Sequence, residues 1–320
     1  MSTQSPIRVF IGSSPKNLIE ERVFCHSLLK HASQPVEFYA IDGFTGSAKN
    51  LMTGEVKSLP PGIRNRMKGA TAFSLGRWAI PEWCNYEGKA IYCDSDQILL
   101  SDITQLWNSD LAEATLAAVP VKQAKCYKHY IIDSMGAFLK TEETFYLASV
   151  MLIDCEKVKW SIRELLEKLD QNVFSLANLM YMGEQFRRHY QLSVAALPCE
   201  WNHLDYVDAE SKLVHFTDLT SQPWQFHHNP VSDLWEQAFL EALDQGAVTQ
   251  ADIDTSYANG WLSGRVKALA QMPKSIRRPV NWIWRNSNAT IFKLHASWHH
   301  QIERVKFVLS RLTTASSIRA

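Results

Sequence analysis

Three successive segments near the start of this chain leave it few folds to choose from. Residues 7–11, apolar except for Arg8, read as a buried strand. Gly12-Ser13-Ser14-Pro15 follows as a turn, with Ser14 placed to cap a helix and Pro15 at its first position. Leu18, Val23, Leu28 and Leu29 then carry helical spacing to about Lys30, and residues 36–41 read as a second strand after Pro35. A strand–helix–strand opening predicts an α/β domain with parallel pairing. The 320 residues, 46% of them hydrophobic, suffice for one large domain or one domain with an extension.

Further along, residues 43–69 are rich in Gly, Pro, Ser and Lys and read as a loop. Residues 73–83 read as a helix that stops near Pro81. Residues 89–93 are the next strand, 102–107 a short helix and 115–119 another strand. Residues 123–140 are polar and take no assignment. Residues 149–153 are a strand, after which Asp154 would cap a helix to about Leu169. Residues 173–189 read as one more helix, and 194–197 and 213–216 as short late strands. After Pro230 the pattern turns helical. The expected division is therefore an α/β domain over 1–230 and a helical extension over 231–320.

The formal net charge of zero hides an asymmetry. From Gly260 onward there are eleven Lys and Arg against one acid, Glu303, so the body carries a compensating negative excess. The basic stretch interleaves its cations with tryptophans: Trp261, Arg265, Lys267, then Lys274, Arg277, Arg278, Trp282, Trp284 and Arg285. A final helix would carry Trp298, Ile302, Val305, Phe307, Val308 and Leu312. That composition suits an anionic membrane surface, reached through residues 261–320, or a helical cap on the main domain. No nucleic-acid motif accompanies it. The six cysteines are scattered, with no CxxC pair or Cys/His cluster, which argues against zinc and for reduced thiols. With no signal-peptide core and no run long enough to span a bilayer, the expectation is a cytoplasmic protein, peripheral at most on the inner membrane.

The chemistry centres on Ala90-Ile91-Tyr92-Cys93-Asp94-Ser95-Asp96-Gln97-Ile98-Leu99-Leu100. An extended backbone points residues i and i+2 to one side, so Asp94 and Asp96 can converge on a hard cation, Mg²⁺ or Mn²⁺. A bare Asp-x-Asp is weak, since about one match is expected by chance in a chain of this size. Asp252-Ile253-Asp254 is such a match, in a polar stretch with no strand before it, and reads as helix capping or a solvated turn. Asp94 and Asp96 differ in having a strand on each side. His227-His228 and His299-His300 have no comparable context and read as surface or interface residues.

Four further segments join this one. They are Ser74-Leu75-Gly76-Arg77 before it, then "YLASVMLID" from Tyr146, "LPCEWN" from Leu197 and "HFTDLTSQPW" from His215. In this order they resemble glycosyltransferase family 8, the glycogenin-like and bacterial galactosyltransferase-like enzymes, across roughly residues 7–224. The family's strand ending "LYLDxDxIV-DL-LW" is matched by "AIYCDSDQILLSDITQLW", its "FNAGVMLLD" by "YLASVMLID", and its late "H-x-x-G-x-x-K-P-W" by "HFTDLTSQPW".

The resemblance implies a GT-A fold and a retaining transfer of sugar from a nucleotide diphosphate sugar, usually a UDP-sugar, to a glycan or glycolipid hydroxyl. It implies Asp94, Asp96 and His215 as ligands of Mn²⁺ or Mg²⁺, and Arg77 on the diphosphate or sugar. Gly12, Ser13, Ser14, Asp42, Ser95 and Gln222 would line the donor pocket. The chain departs from the family at Gln222, where the family has Lys, at Leu147, where it has Asn, and at Ser149, where it has Gly. The family's "DQD" near the reacting carbon has no clear match; Ala177-Asn178 or Glu184-Gln185 would occupy its place. No protein nucleophile stands out, which favours front-face attack. Two other readings remain. A sugar nucleotidyltransferase would need a Gly-rich basic phosphate loop, which Gly12-Ser13-Ser14-Pro15 does not supply. A catalytically weak carbohydrate- or membrane-binding scaffold would explain Leu147, Gln222 and the missing "DQD".

Overall fold

β1 (Ile7–Gly12) is buried on both faces but for half-buried Arg8, which donates to Lys89 O, because it lies in the middle of a covered sheet. A 3₁₀ turn (Pro15–Asn17) leads into α1 (Leu18–His31), which returns the chain to β2 (Val36–Asp42), parallel to β1. Next come β3 (Ser47–Asn50), β4 (Val56–Ser58), a 3₁₀ turn (Gly76–Ala79) running into α2 (Ile80–Trp83), and β5 (Lys89–Asp94). β6 (Gln97–Leu99), α3 (Ile103–Trp107), β7 (Leu116–Pro120) and β8 (Tyr146–Asp154) follow. Then α4 (Ile162–Asp170), α5 (Leu176–Met180) and α6 (Glu184–Tyr190) precede β9 (Val194–Ala196), β10 (His203–Leu204) and β11 (Leu213–His215). The chain closes on α7 (Ser232–Asp244), α8 (Gln250–Ala258), α9 (Gly264–Gln271) and α10 (Lys274–Ser287). This computed structural model describes residues 5–43, 45–60, 63, 71, 73–126, 142–226 and 228–287. The expected helix around Trp298, and His227, His299 and His300, lie outside them, as does most of 123–140.

Eight strands form the central sheet in the order β4-β3-β2-β1-β5-β8-β7-β9. β2, β1 and β5 run parallel, so the carboxyl ends of all three meet at one edge. β8 pairs antiparallel with both β5 and β7, so the sheet is mixed. Period-2 alternation sends Phe10, Tyr92 and Met151 to one face, under Trp78, Trp160, Phe174 and Phe186. Val9, Ile11, Ile91 and Cys93 go to the other, under Phe24 and Leu28 of α1. A second sheet of three strands, β10-β11-β6, sits beyond β5.

Several expectations need correction. The stretch read as a loop holds the antiparallel pair β3–β4, turned at Gly54 in the left-handed region (φ 77°). Pro81 does not stop a helix; it occupies the first turn of α2, where its missing N–H costs nothing. Asp154 caps only a 3₁₀ turn (Cys155–Lys157), and α4 takes its own cap from Ser161, whose side chain accepts from Glu164 N. The single helix expected over 173–189 is broken into α5 and α6. Met182 lies at φ 48°, and Gly183 packs so close to Asn178 that a Cβ there would meet Asn178 Oδ1 at 2.6 Å.

Candidate active site

The acidic segment changes sheets between its two carboxylates. Asp94 ends β5 beside Gly12 of β1, and Ser95 N donates to Gly12 O at 3.1 Å. Ser95 and Asp96 form a bend, and at Gln97 the chain enters the three-stranded sheet. Convergence of Asp94 and Asp96 therefore comes from this bend and not from one continuous extended strand. Antiparallel pairing of β6 with β11 sets His215 opposite Gln97, and Phe216 N donates to Asp96 O at 2.9 Å. His215 thus arrives beside Asp96 by strand register.

Its Nε2 lies 3.0 Å from Asp96 Oδ1 and 3.9 Å from Asp94 Oδ2. One ligand atom from each of Asp94, Asp96 and His215 falls within 4.8 Å of the others, so the three could hold a metal ion. Asp96 Oδ1 supports the fit. It is buried and, among the described residues, has no hydrogen bond of normal geometry. Two carboxylates and an imidazole suit a hard or borderline divalent cation.

Arg77 is buried, at 5% exposure, and is not the surface salt-bridge residue a helix Arg often is. Its Nε donates to Ser74 O, Nη1 to Ala148 O and Nη2 to Asp94 Oδ1 at 3.3 Å. The guanidinium also sits 4.5 Å from the centre of the Tyr92 ring, whose hydroxyl donates to the same Asp94 oxygen in a short hydrogen bond. Three of its five N–H groups are so engaged, which leaves two without a partner among the described residues. Burial raises the Asp94 carboxyl, Arg77 pulls it down and Asp96 pushes it back up, for a net rise. Burial favours neutral His215, but Asp96, Asp94 and Asp205 outweigh it and raise its pKa.

The sequence model described as Glycosyl transferase family 8 matches residues 22–236. The chain belongs to glycosyl transferase family 8. Protein CDI of Arabidopsis thaliana is 24% identical over 238 residues, covering 73% of this chain and 83% of that protein. Among solved structures, the glycosyltransferase GlyE of Streptococcus pneumoniae TIGR4 is similar at a TM-score of 0.50 and 16% identity, over 81% of this chain and 65% of GlyE. The galactosyltransferase LgtC, solved with donor and acceptor sugar analogues, is similar at 0.48 and 14%, over 73% of this chain and 96% of LgtC. The chain spans about half (52%) of the bifunctional glycosyltransferase WbbM. The fold is the expected α/β fold of GT-A type, with helices at its C-terminal side.

The family 8 match begins at Arg22, so Gly12, Ser13 and Ser14 precede it. These three nevertheless sit at the carboxyl edge, where α/β sheets bind nucleotides. Ser13 is buried, and Ser14 Oγ donates to Asn17 Oδ1 at 2.7 Å. Asp42 ends β2 on the same edge. Gln222 follows the His215 strand and donates from Nε2 to Phe216 O at 3.4 Å. Asn178 Oδ1 accepts from Phe186 N at 3.0 Å, which ties α5 to α6, and Gln185 is exposed on α6. Among the described residues neither shares a hydrogen bond with Arg77, Asp94, Asp96 or His215.

Tyr92 and Asn202 were not singled out from sequence. The i, i+2 rule could have found Tyr92 on the Asp94 side of β5, and Asn202 ends the "LPCEWN" motif. Asp252 is a helix cap, as expected: it forms a capping box with Thr249 at the start of α8. His228 is half-buried against the Phe226 ring. All six cysteines are free, and no described helix is long and apolar enough to cross a membrane.

Proposed function

We propose that this family 8 glycosyltransferase is a metal-dependent, retaining enzyme that moves a sugar from a nucleotide diphosphate sugar, a UDP-sugar in the first instance, to a glycan or glycolipid hydroxyl. The observation that carries this is the meeting of Asp94, Asp96 and His215 within 4.8 Å at the carboxyl edge of the sheet, beside buried Arg77. These three residues would hold Mn²⁺ or Mg²⁺, which as a Lewis acid stabilises charge on a departing diphosphate. The two N–H groups of Arg77 that have no partner among the described residues would face the same charge with their geometry already set, so little reorganisation is needed at the moment of bond breaking. Gly12, Ser13, Ser14, Asp42 and Ser95 would line the nucleotide side. Gln222 would give the phosphate a neutral donor where the family pattern has a cation. Asn178 or Gln185 would approach the reacting carbon, with attack from the front face.

Calorimetric titration of Mn²⁺ and then UDP into wild type and Asp96→Ala tests the reading. Metal-linked UDP binding in wild type, lost in Asp96→Ala, is expected. No metal-linked binding in wild type sinks it in favour of the scaffold reading. A screen of UDP- and GDP-sugars for metal-dependent donor hydrolysis then identifies the donor.

Residues 261–320 would contact an anionic membrane surface, and the protein would work at the cytoplasmic face. Support comes from α10. Arg277 and Asn281 face inward to Asp244 and Glu236, and Lys274 also pairs with Asp244 at 3.4 Å, while Ile276, Ile283 and Trp282 (67% exposed) lie outward and Arg278 is exposed. Co-sedimentation with phosphatidylglycerol vesicles should fall for a Lys274→Glu/Arg278→Glu variant; unchanged binding refutes the contact.

A further inference from the structure

The segment from His215 to Gln222 leads from the Asp94–Asp96–His215 cluster to the residue that replaces the family's Lys. Its base is set in the core, where Phe216 and Trp224 are buried with ring centres 6.3 Å apart. The arch between, Thr217-Asp218-Leu219-Thr220-Ser221, has no glycine, although the family pattern "H-x-x-G-x-x-K-P-W" has one, and it is one residue longer. Side chains shape it instead. Asp218 Oδ1 accepts from Thr220 N at 3.0 Å and from Thr220 Oγ1 at 2.7 Å, and its Oδ2 accepts from Ser221 Oγ at 2.9 Å.

Asp205 ties this arch to the body. It follows β10, whose Leu204 lies opposite His215, and its N–H donates to His215 O at 2.8 Å. Asp205 is buried, with its backbone in the left-handed region (φ 49°). Its Oδ2 accepts from Thr217 N at 3.1 Å, Thr217 Oγ1 at 2.8 Å and Asp218 N at 3.1 Å. Its Oδ1 accepts from Asn229 Nδ2 at 2.7 Å. The same Nδ2 donates to Ser221 Oγ at 3.2 Å, while Asn229 Oδ1 accepts from Val231 N at 2.9 Å. The Thr217, Asp218 and Val231 backbone N–H groups can only donate, so the sense of these bonds is fixed. One buried carboxyl thus grips both flanks of the arch. It holds Thr217 and Asp218 directly, and it holds Ser221, the residue before Gln222, through Asn229.

We infer that Asp205 and Asn229 are positioning residues that hold the 217–221 arch preformed, so that His215 and Gln222 face one donor diphosphate before it binds. This rests on the reading of His215 and Gln222 as contacts of the cation and the phosphate. Neither Asp205 nor Asn229 touches the donor; each acts through the ends of the arch. A preformed arch spares the loop-ordering cost of binding and so strengthens donor affinity.

Full-length Asp205→Asn tests this, because all four partners of the carboxyl are donors and the amide sets an N–H against at least one of them. Two readouts are independent. Amide exchange in ligand-free protein reports the arch: Thr217 and Asp218 should exchange roughly tenfold faster than in wild type. UDP titration at saturating Mn²⁺ reports the consequence: affinity should weaken roughly tenfold in Asp205→Asn, and by clearly less when the same change is made in Gln222→Ala. A role confined to stability leaves the UDP affinity of the folded variant unchanged, and that result overturns the inference. An equal loss in both backgrounds overturns it as well, since Asp205 then does not act through Gln222. Unchanged exchange at Thr217 and Asp218 does the same. A wild type that binds no UDP with Mn²⁺ overturns the donor reading, and the positioning role with it, even where exchange shows Asp205 holding the arch. If Asp205→Asn does not fold, Asn229→Ala and Thr217→Val, which removes only the Oγ1 donor, carry the same two readouts with smaller losses expected.

Discussion

Gly12 has no room for a side chain. A Cβ there would lie 2.1 Å from the Tyr92 hydroxyl and 2.6 Å from a Phe73 ring carbon, both on buried residues. Tyr92 is also the residue that donates to Asp94. Gly12→Ala should therefore cost about 1–3 kcal/mol of stability and loosen Asp94 at the same time. Urea unfolding measures the first effect, and Mn²⁺ titration of the folded variant the second. Glu20, at 2% exposure on α1, poses a different problem. Its Oε2 has no hydrogen bond among the described residues, and burial pushes its pKa up to about 8 from an ordinary 4.5. The folded protein then keeps a proton that the unfolded chain releases. Stability from this group is complete below the unfolded value and falls as pH rises toward the folded one, by up to about 1.4 kcal/mol per pH unit. Glu20→Gln should flatten the stability profile between about pH 5 and 8 and stabilise the protein at the upper end. Thermal unfolding across that window decides it. At this scale the sequence was most readable where a motif existed, at Arg77, Asp94, Asp96 and His215. Glu20 and Tyr92 were opaque because their roles depend on what surrounds them.

Two Asp-x-Asp pairs of the same composition sit on different elements and should behave in opposite ways. Asp252 accepts from Thr249 N at 2.9 Å in the first turn of α8, and Asp254 pairs with Lys267 of α9 at 2.9 Å. Asp252→Ala should cost about 1 kcal/mol of stability, the usual worth of a cap, and leave Mn²⁺ binding untouched. Asp96→Ala should abolish Mn²⁺ binding and cost little stability. Denaturation and metal titration of the two variants side by side check the contrast. The strand–helix–strand opening was legible from its apolar periodicity and its turn, but not from the expected cap: Ser14 makes no side-chain cap bond and precedes a 3₁₀ turn, and α1 begins only at Leu18. β3 and β4 were not: Ser47-Ala48-Lys49-Asn50 has no β-branched residue, and its strand state comes from pairing with β2. The break between α5 and α6 was hidden for the same reason, since it depends on Gly183 meeting Asn178 in space.

At the scale of the whole molecule, α7, α8 and α9 share a core with the α/β body. Ile19 and Val23 of α1, Ile98 of β6, and Val214 and Phe216 pack with Trp235, Phe239, Val248, Ile253 and Val266. Ser263 N also donates to Trp224 O, which holds the loop that carries Gln222. We propose that the segment after residue 230 buttresses the catalytic body and does not fold apart from it. A chain ending at 230 should aggregate or lack a cooperative unfolding transition, measured by calorimetry against full-length protein. Composition and charge had marked this region as distinct; the shared core was invisible in the sequence because three of its partners, Ile19, Val23 and Ile98, are more than a hundred residues away.

The bend at Ser95 and Asp96 carries a mechanical consequence. Asp94 belongs to the large sheet and His215 to the small one, so an ion held by both would rivet the two sheets together. Because the unfolded chain offers no such seat, loading at a hundredfold excess over the dissociation constant should raise stability by about 2.7 kcal/mol. Amide exchange should slow on both sides of that seam at once, in β5 and in β11.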